Sequence, residues 1–269
     1  MKLKNKKEKC QLFIICFVLL VLSLFLIRVF YEGKIEEDSR AVKEYINDDI
    51  LNKNNKFNIK DENESEIDTN VLYESERINK VKELQVQNED IVGWLEIPNT
   101  NISYPILQGF DNSYYMNHNY QKKYTRNGSL FLDKDYNWNK PSENLLVYGH
   151  NNRGTKEMFV ELLNYKDKKF YDEHPIVRFS TEKEDAIYEI FAVFLSRVYY
   201  KRETNVFRYY YFIDAENEDQ FNYYVSECKK ASIYETNIEA KYGEQLITLS
   251  TCDYSQKDGR FVVVARKSK

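Results

Sequence analysis

The chain has 269 residues, 42% hydrophobic and 30% charged, which is enough apolar material for one or two domains with a true core. A net charge of −4, with no basic stripe interleaved with aromatics, argues against a nucleic-acid partner. Four cysteines without a CxxC or Cys/His cluster argue against a zinc site, and nothing in the sequence calls for a metal or another cofactor.

Met1 to Lys9 carries five lysines and one glutamate, and Leu12 to Ile27 is then apolar except for Ser23. With Arg28 snorkelling to the interface, the apolar run reaches roughly 20 residues, enough to cross a bilayer as a helix. Lysines ahead of the span predict a cytoplasmic N-terminus. The expectation is an uncleaved signal-anchor: residues 1–10 cytoplasmic, 11–31 in the cell membrane, and the rest outside. A cleaved signal peptide needs a small-x-small site, which Arg28-Val29-Phe30-Tyr31-Glu32 lacks.

Residues 32–70 are charged, Asn-rich and poor in apolar side chains. They read as an extracellular linker, partly disordered, with room for some helix around Ala41 to Leu51. A folded domain is expected over 71–269. It opens with Leu72, Ile78, Val81 and Leu84, spaced for an amphipathic helix to about Gln87.

From Val92 the pattern changes to short β-rich runs separated by turn residues. These are Gly93–Pro98, Ile102–Leu107, Gly128–Asp133, Asn144–Tyr148, Pro175–Phe179, Tyr188–Tyr199 and Phe207–Ile213. Helices are expected at Lys156–Leu163 and Glu218–Ala231. In the second, Phe221, Tyr224, Val225, Cys228 and Ala231 share one face. That placement makes Cys228 a small buried hydrophobe rather than a disulfide partner for Cys252. Many short strands with few helices favour a closed barrel, which leaves no sheet edge exposed.

The last two runs form a hairpin. Gln245–Leu249 leads to Cys252, a polar loop from Asp253 to Gly259 turns the chain, and Arg260 opens Phe261–Ala265. Antiparallel pairing sets Cys252 beside Arg260. A thiol next to a permanent cation is a candidate nucleophile with a charge stabiliser. The alternative for the same pair is a structural cysteine and a surface arginine.

Such a nucleophile needs a proton-transfer group, usually histidine. His118 lies in a polar loop and His174 precedes Pro175; both read as loop residues. His150 follows the strand ending at Tyr148 through Gly149, so it also stands at a strand end. Strand ends can converge on one mouth of a barrel, and the sequence alone leaves open whether these do.

Tyr148-Gly149-His150-Asn151, Thr248-Leu249-Ser250-Thr251-Cys252 and Arg260-Phe261-Val262-Val263-Val264-Ala265 occur in the order that characterises sortases. Val92-Gly93-Trp94-Leu95, Tyr104-Pro105-Ile106-Leu107-Gln108-Gly109 and the long helix before the cysteine strand narrow the resemblance to class B, over about Ile78 to Arg266. Asp253 stands where glutamate is frequent after the cysteine, and the loop before Arg260 is compact.

The resemblance implies a mainly β fold: a closed barrel of about eight strands with N-terminal helices, a long helix before the cysteine strand, and one transmembrane helix in front. It implies an extracellular cysteine transpeptidase of Gram-positive-type cells. Its substrates would be secreted proteins carrying an Asn-Pro-x-Thr-Asn/Gly or Leu-Pro-x-Thr-Gly sorting signal. Cys252 would form a thioacyl-enzyme after Thr, which an amine of the peptidoglycan precursor resolves. His150 would move protons and Arg260 would stabilise the oxyanion, while Asn112, Ser250 and Thr251 would line the peptide groove. The residues also admit a membrane-anchored peptidase that uses water, a pilus-assembling enzyme, and a non-enzymatic ectodomain.

Overall fold

The computed structural model describes residues 13–29 and 69–268, and these form two separate units. The first is a helix over 13–29 (α1) whose described residues are all exposed; its one hydroxyl, Ser23 Oγ, donates to the Leu20 carbonyl at 2.8 Å. Among the described residues no helix is long and apolar enough to cross a membrane. Residues 11–12 and 30–31 of the expected span lie outside the described residues, as do the stretch 1–10 and nearly all of the expected linker 32–70.

The second unit begins with α2 (Thr69–Gln87), which matches the expected amphipathic helix; Val81 and Leu84 are buried on it. Strands β1 (Ile91–Glu96), β2 (Ser103–Leu107), β3 (Leu130–Leu132) and β4 (Asn144–Gly149) follow. The later barrel strands are β7 (Ile176–Ser180), β8 (Asp185–Arg197), β9 (Leu246–Cys252) and β10 (Gly259–Lys267), while β5 (Asn151–Asn152) and β6 (Glu157–Met158) make a separate two-stranded ladder. The eight barrel strands close in the order β1-β2-β3-β4-β9-β10-β8-β7, with β7 paired back to β1. Only β2–β3 and β4–β9 are parallel.

Strand alternation sorts the hydrophobic residues into two cores. Leu145, Val147, Ile247, Leu249 and Val263 fill the barrel interior. Leu146, Leu246, Val262 and Val264 face outward and are covered by α4 (Glu218–Ala231). On α4, Phe221, Tyr224, Val225 and Cys228 are buried, and each large side chain removed from water contributes about 1.5–3 kcal/mol. Ala231, expected on the same face, is exposed because α4 ends there. Asn217 caps the helix by accepting from the Gln220 N–H, with Glu218 and Asp219 in the first turn and Lys229 and Lys230 in the last, matching the helix dipole. Cys228 and Cys252 are both free thiols.

Two expected elements differ. Phe207–Ile213 is not a strand: it carries a single 3-10 turn, Tyr209–Tyr211, and packs Tyr209 between α4 and the sheet. The barrel is closed, so every strand already has two neighbours and no edge is free to pair with this run. Lys156–Leu163 is not a helix either. Lys156 and Met158 stand at positive φ, which a helix cannot hold, so the run forms β6 and leads into a 3-10 segment, Glu161–Lys166. The regular helix starts later, as α3 (Lys168–Glu173), capped by the Asp167 side chain.

Candidate active site

β9 lies between β4, its parallel neighbour, and β10, its antiparallel neighbour. Cys252 is the direct cross-strand partner of Arg260. On the other side Tyr148 pairs with Ser250 and Gly149 with Thr251, so His150, one step further, stands level with Cys252. Neighbouring strands are about 4.8 Å apart, so the three residues stand abreast at one end of the sheet.

Tyr148, Ser250, Cys252 and Arg260 alternate in step with the outward-facing Leu146, Leu246 and Val262. The convergence is therefore on the barrel's outer wall, not within a mouth. There a cleft of ≈ 270 Å³ is lined by His150, Cys252 and Arg260, and by Asn112, Ser250 and Thr251. All six residues singled out in the sequence border this one cleft. His118 and His174 do not: each sets Nδ1 against a main-chain carbonyl, Tyr114 O at 2.8 Å and Pro98 O at 3.0 Å.

Cys252 is half-buried, and its carbonyl accepts a hydrogen bond from Asn151 Nδ2 at 2.9 Å. Arg260 forms no ion pair among the described residues. Its guanidinium donates to the Gly259 carbonyl at 2.9 Å, so no described carboxylate neutralises its charge. Gly149 has a packing reason: a Cβ there would lie 2.3 Å from Leu130 Cδ2 and 2.6 Å from the Phe159 ring. The residue after the cysteine, Asp253, is buried and pairs with Lys166 at 2.5 Å. Burial raises its carboxyl, but the hydrogen bonds from Lys166 and Ser255 outweigh burial and hold it below the ordinary carboxylate range.

The residues expected in the groove have committed polar groups. Ser250 Oγ is 2.7 Å from the Tyr209 hydroxyl, and the Thr251 hydroxyl donates to the Gly149 carbonyl at 2.7 Å. Asn112 Nδ2 donates to Asp133 Oδ2 at 2.9 Å, and Asn112 Oδ1 accepts from the Lys134 N–H at 2.8 Å. These three shape the wall. Burial pushes the Tyr148 and Tyr209 phenols far up, with the Arg260 charge opposing in both, so each stays a neutral hydroxyl.

Tyr148, Tyr209, Tyr210, Met116, Phe131 and Val198 also line the cleft and were not singled out in the sequence. Tyr148 sits inside the Tyr-Gly-His-Asn motif, and three consecutive tyrosines, Tyr209–Tyr211, were a signal hidden in the run read as a strand. Met116 carried none, because its contribution is a main-chain carbonyl. Among the described residues no group of three or more His, Cys, Asp or Glu is placed to hold a metal ion.

The model of the sortase domain matches residues 95–268. The chain is 39% identical to sortase B of Listeria monocytogenes over 189 residues, covering 68% of this chain and 72% of that protein. The chain belongs to the sortase family, class B. Sortase B of Staphylococcus aureus is 30% identical, again over 68% of this chain and 72% of that protein. The crystal structure of Clostridium perfringens sortase B superposes with a TM-score of 0.63 at 30% identity, covering 70% of this chain and 99% of that one. A Staphylococcus aureus sortase B solved with its substrate gives a TM-score of 0.62 at 28% identity, covering 71% and 85%. This sortase is thus a cysteine transpeptidase, and its eight-stranded closed barrel is the fold of those relatives.

Proposed function

We propose that Cys252, His150 and Arg260 carry the transpeptidation. The observation that supports this best is that Cys252 has Arg260 as its cross-strand partner on one side and His150 level with it on the other, in one open cleft. Cys252 attacks the carbonyl carbon of the Thr in a sorting-signal peptide of the Asn-Pro-x-Thr-Asn/Gly or Leu-Pro-x-Thr-Gly type. The C–N bond breaks, and its electron pair leaves with the amine, which His150 protonates. The product of this step is a thioacyl-enzyme. Arg260 donates to the oxyanion that forms in both half-reactions. An incoming amine, deprotonated by His150, then displaces the thiolate. A substrate complex exists for the Staphylococcus aureus relative, and a sortase B has been solved with triglycine, a peptide that carries a free amine. Both support a peptide donor and an amine acceptor, and the amine proposed for this sortase is that of a peptidoglycan precursor.

The proposed site of action rests on the N-terminal sequence. The lysine-rich start and the apolar run Leu12 to Ile27 support a single-pass anchor over 11–31 in the cell membrane of a Gram-positive-type cell, with a cytoplasmic N-terminus, a linker over 32–70 and the catalytic domain over 71–269 outside. Exposed Phe13, Leu19 and Leu26 on α1 fit lipid contact.

The test offers the enzyme a sorting-type peptide with and without an amine panel and follows products by mass spectrometry. Transfer to amine in the wild type, and none in Cys252→Ala, is expected. Hydrolysis alone across a broad panel would instead make the enzyme a peptidase. For the anchor, the full chain is expected to stay with membranes through an alkaline wash, and release in wash buffer would overturn that part.

A further inference from the structure

The His150 ring is held by an atom that no side chain supplies. Its Nε2 lies 2.6 Å from the main-chain carbonyl oxygen of Met116. A carbonyl oxygen can only accept, so Nε2 carries the proton. A neutral imidazole has one N–H and one lone pair, and here the lone pair is therefore on Nδ1. His118 and His174 show the reverse arrangement, with Nδ1 against a carbonyl. Of the three histidines in the chain, His150 is thus the one whose ring is locked in the Nε2–H form.

The Met116 carbonyl is itself fixed. Met116 closes the 3-10 turn Tyr114–Met116, and its N–H donates to Ser113 O at 3.2 Å. On either side Ser129 N donates to Tyr115 O at 2.9 Å and Thr125 N to Asn117 O at 3.0 Å. Gly128, at φ +58°, closes the loop against this turn: a Cβ there would lie 2.5 Å from Met116 O. The backbone of His150 is anchored too, since its carbonyl accepts from Phe159 N at 3.0 Å.

We propose that the Met116 carbonyl is the orienting member of the catalytic constellation and that Nδ1 of His150 is the atom that exchanges protons. This rests on the reading of His150 as the proton-transfer group. In a nucleophile–base pair the base is oriented by a third group, which here is a main-chain dipole rather than a carboxylate. When Cys252 is activated, the Sγ–H bond breaks with its electron pair left on sulfur, and the proton bonds to Nδ1. The imidazolium formed keeps its Nε2–H on Met116 O. As the peptide C–N bond breaks, its electron pair goes to nitrogen and the Nδ1 proton follows. The incoming amine returns a proton to the same atom. Met116 and Gly128 are positioning residues in this scheme.

The full-length protein, detergent-solubilised and labelled with ¹⁵N-histidine, reads the tautomers directly at about pH 8, above the ordinary imidazole range of ~6.5. Two imidazoles are expected as Nδ1–H and one as Nε2–H, the last disappearing in His150→Gln. A spectrum in which His150 is Nδ1–H, or an average of both forms, overturns the proposal whatever the activity. Gly128→Ala, which pushes on the Met116 carbonyl, is expected to lose the pure Nε2–H signature and to lower kcat on the order of 10- to 100-fold with KM nearly unchanged. Loss of the signature with kcat intact also overturns it, and if Gly128→Ala fails to fold, the wild-type spectrum decides. Full transfer activity in His150→Gln would instead sink the underlying reading of His150.

Discussion

At the scale of single residues, the charge of Arg260 is the feature that chemistry can exploit. Unneutralised by any described carboxylate, it stands one strand from the Cys252 thiol. Its planar fork sets donors at fixed angles, and a lysine ammonium cannot reproduce them. Arg260→Lys is expected to lower kcat about 10²- to 10³-fold, the usual loss for an oxyanion donor, with little change in melting temperature. The two cysteines of the barrel unit should separate as sharply. Burial pushes the Cys228 thiol far up and removes it from solvent, whereas Cys252 is half-exposed in the cleft. A thiol reagent at neutral pH is expected to modify Cys252 alone in residues 69–269, with Cys228 reacting only after denaturation; peptide mapping checks this. The spacing of Cys228 on its helix already predicted the burial. No spacing predicted the Met116 carbonyl, because any residue type supplies one.

At the scale of elements, α2 is tied to the barrel through one carboxylate. Asp185, at the start of β8 with its side chain 2% exposed, pairs with Arg77 of α2 and Arg178 of β7 at 2.6 Å each and accepts from Ser180 Oγ. Burial raises its carboxyl, but the hydrogen bonds from Arg77 and Ser180 and the charges of both arginines hold it below the ordinary value. A folded-state value below the unfolded ~3.9 means that the stabilisation is fully present above that pH and lost as pH falls through the lower folded value. Asp185→Asn is expected to cost about 3–5 kcal/mol at neutral pH, because two arginines lose their counter-charge. Below about pH 4 its melting temperature should fall less steeply than that of the wild type, which thermal scans from neutral to acid pH would show. The sequence contained Arg77, Arg178 and Asp185, but nothing marked them as partners, since the contact joins three elements distant along the chain.

At the scale of the whole molecule, closure of the sheet is what holds the site. The β4–β9 pair is parallel and spans a long crossover, and β1 must meet β7 for the barrel to close. Cys252, Arg260 and His150 are aligned only when β9 sits between β4 and β10, so the site and the barrel form together. Residues 69–269 are expected to unfold in urea in one transition, with backbone circular dichroism and substrate-transfer activity lost at the same midpoint. Activity lost well before the backbone signal would show a site that melts apart from the barrel.

Local pattern determined much of this protein. The hairpin placed Cys252 beside Arg260, Gly149 marked a strand end, and five residues at helical spacing defined α4, all because turn chemistry and side-chain period act over a few residues. The motif order was enough to indicate the family. Tertiary structure decided the remainder. It made Phe207–Ile213 a tyrosine-lined wall of the cleft, because the closed barrel left no edge for another strand. It turned Lys156–Leu163 into a ladder and a 3-10 segment through two positive φ values. It set the cleft on the outer wall and brought a main-chain carbonyl to His150. Each of these depends on which strand lies beside which, and the sequence does not write that in any single stretch.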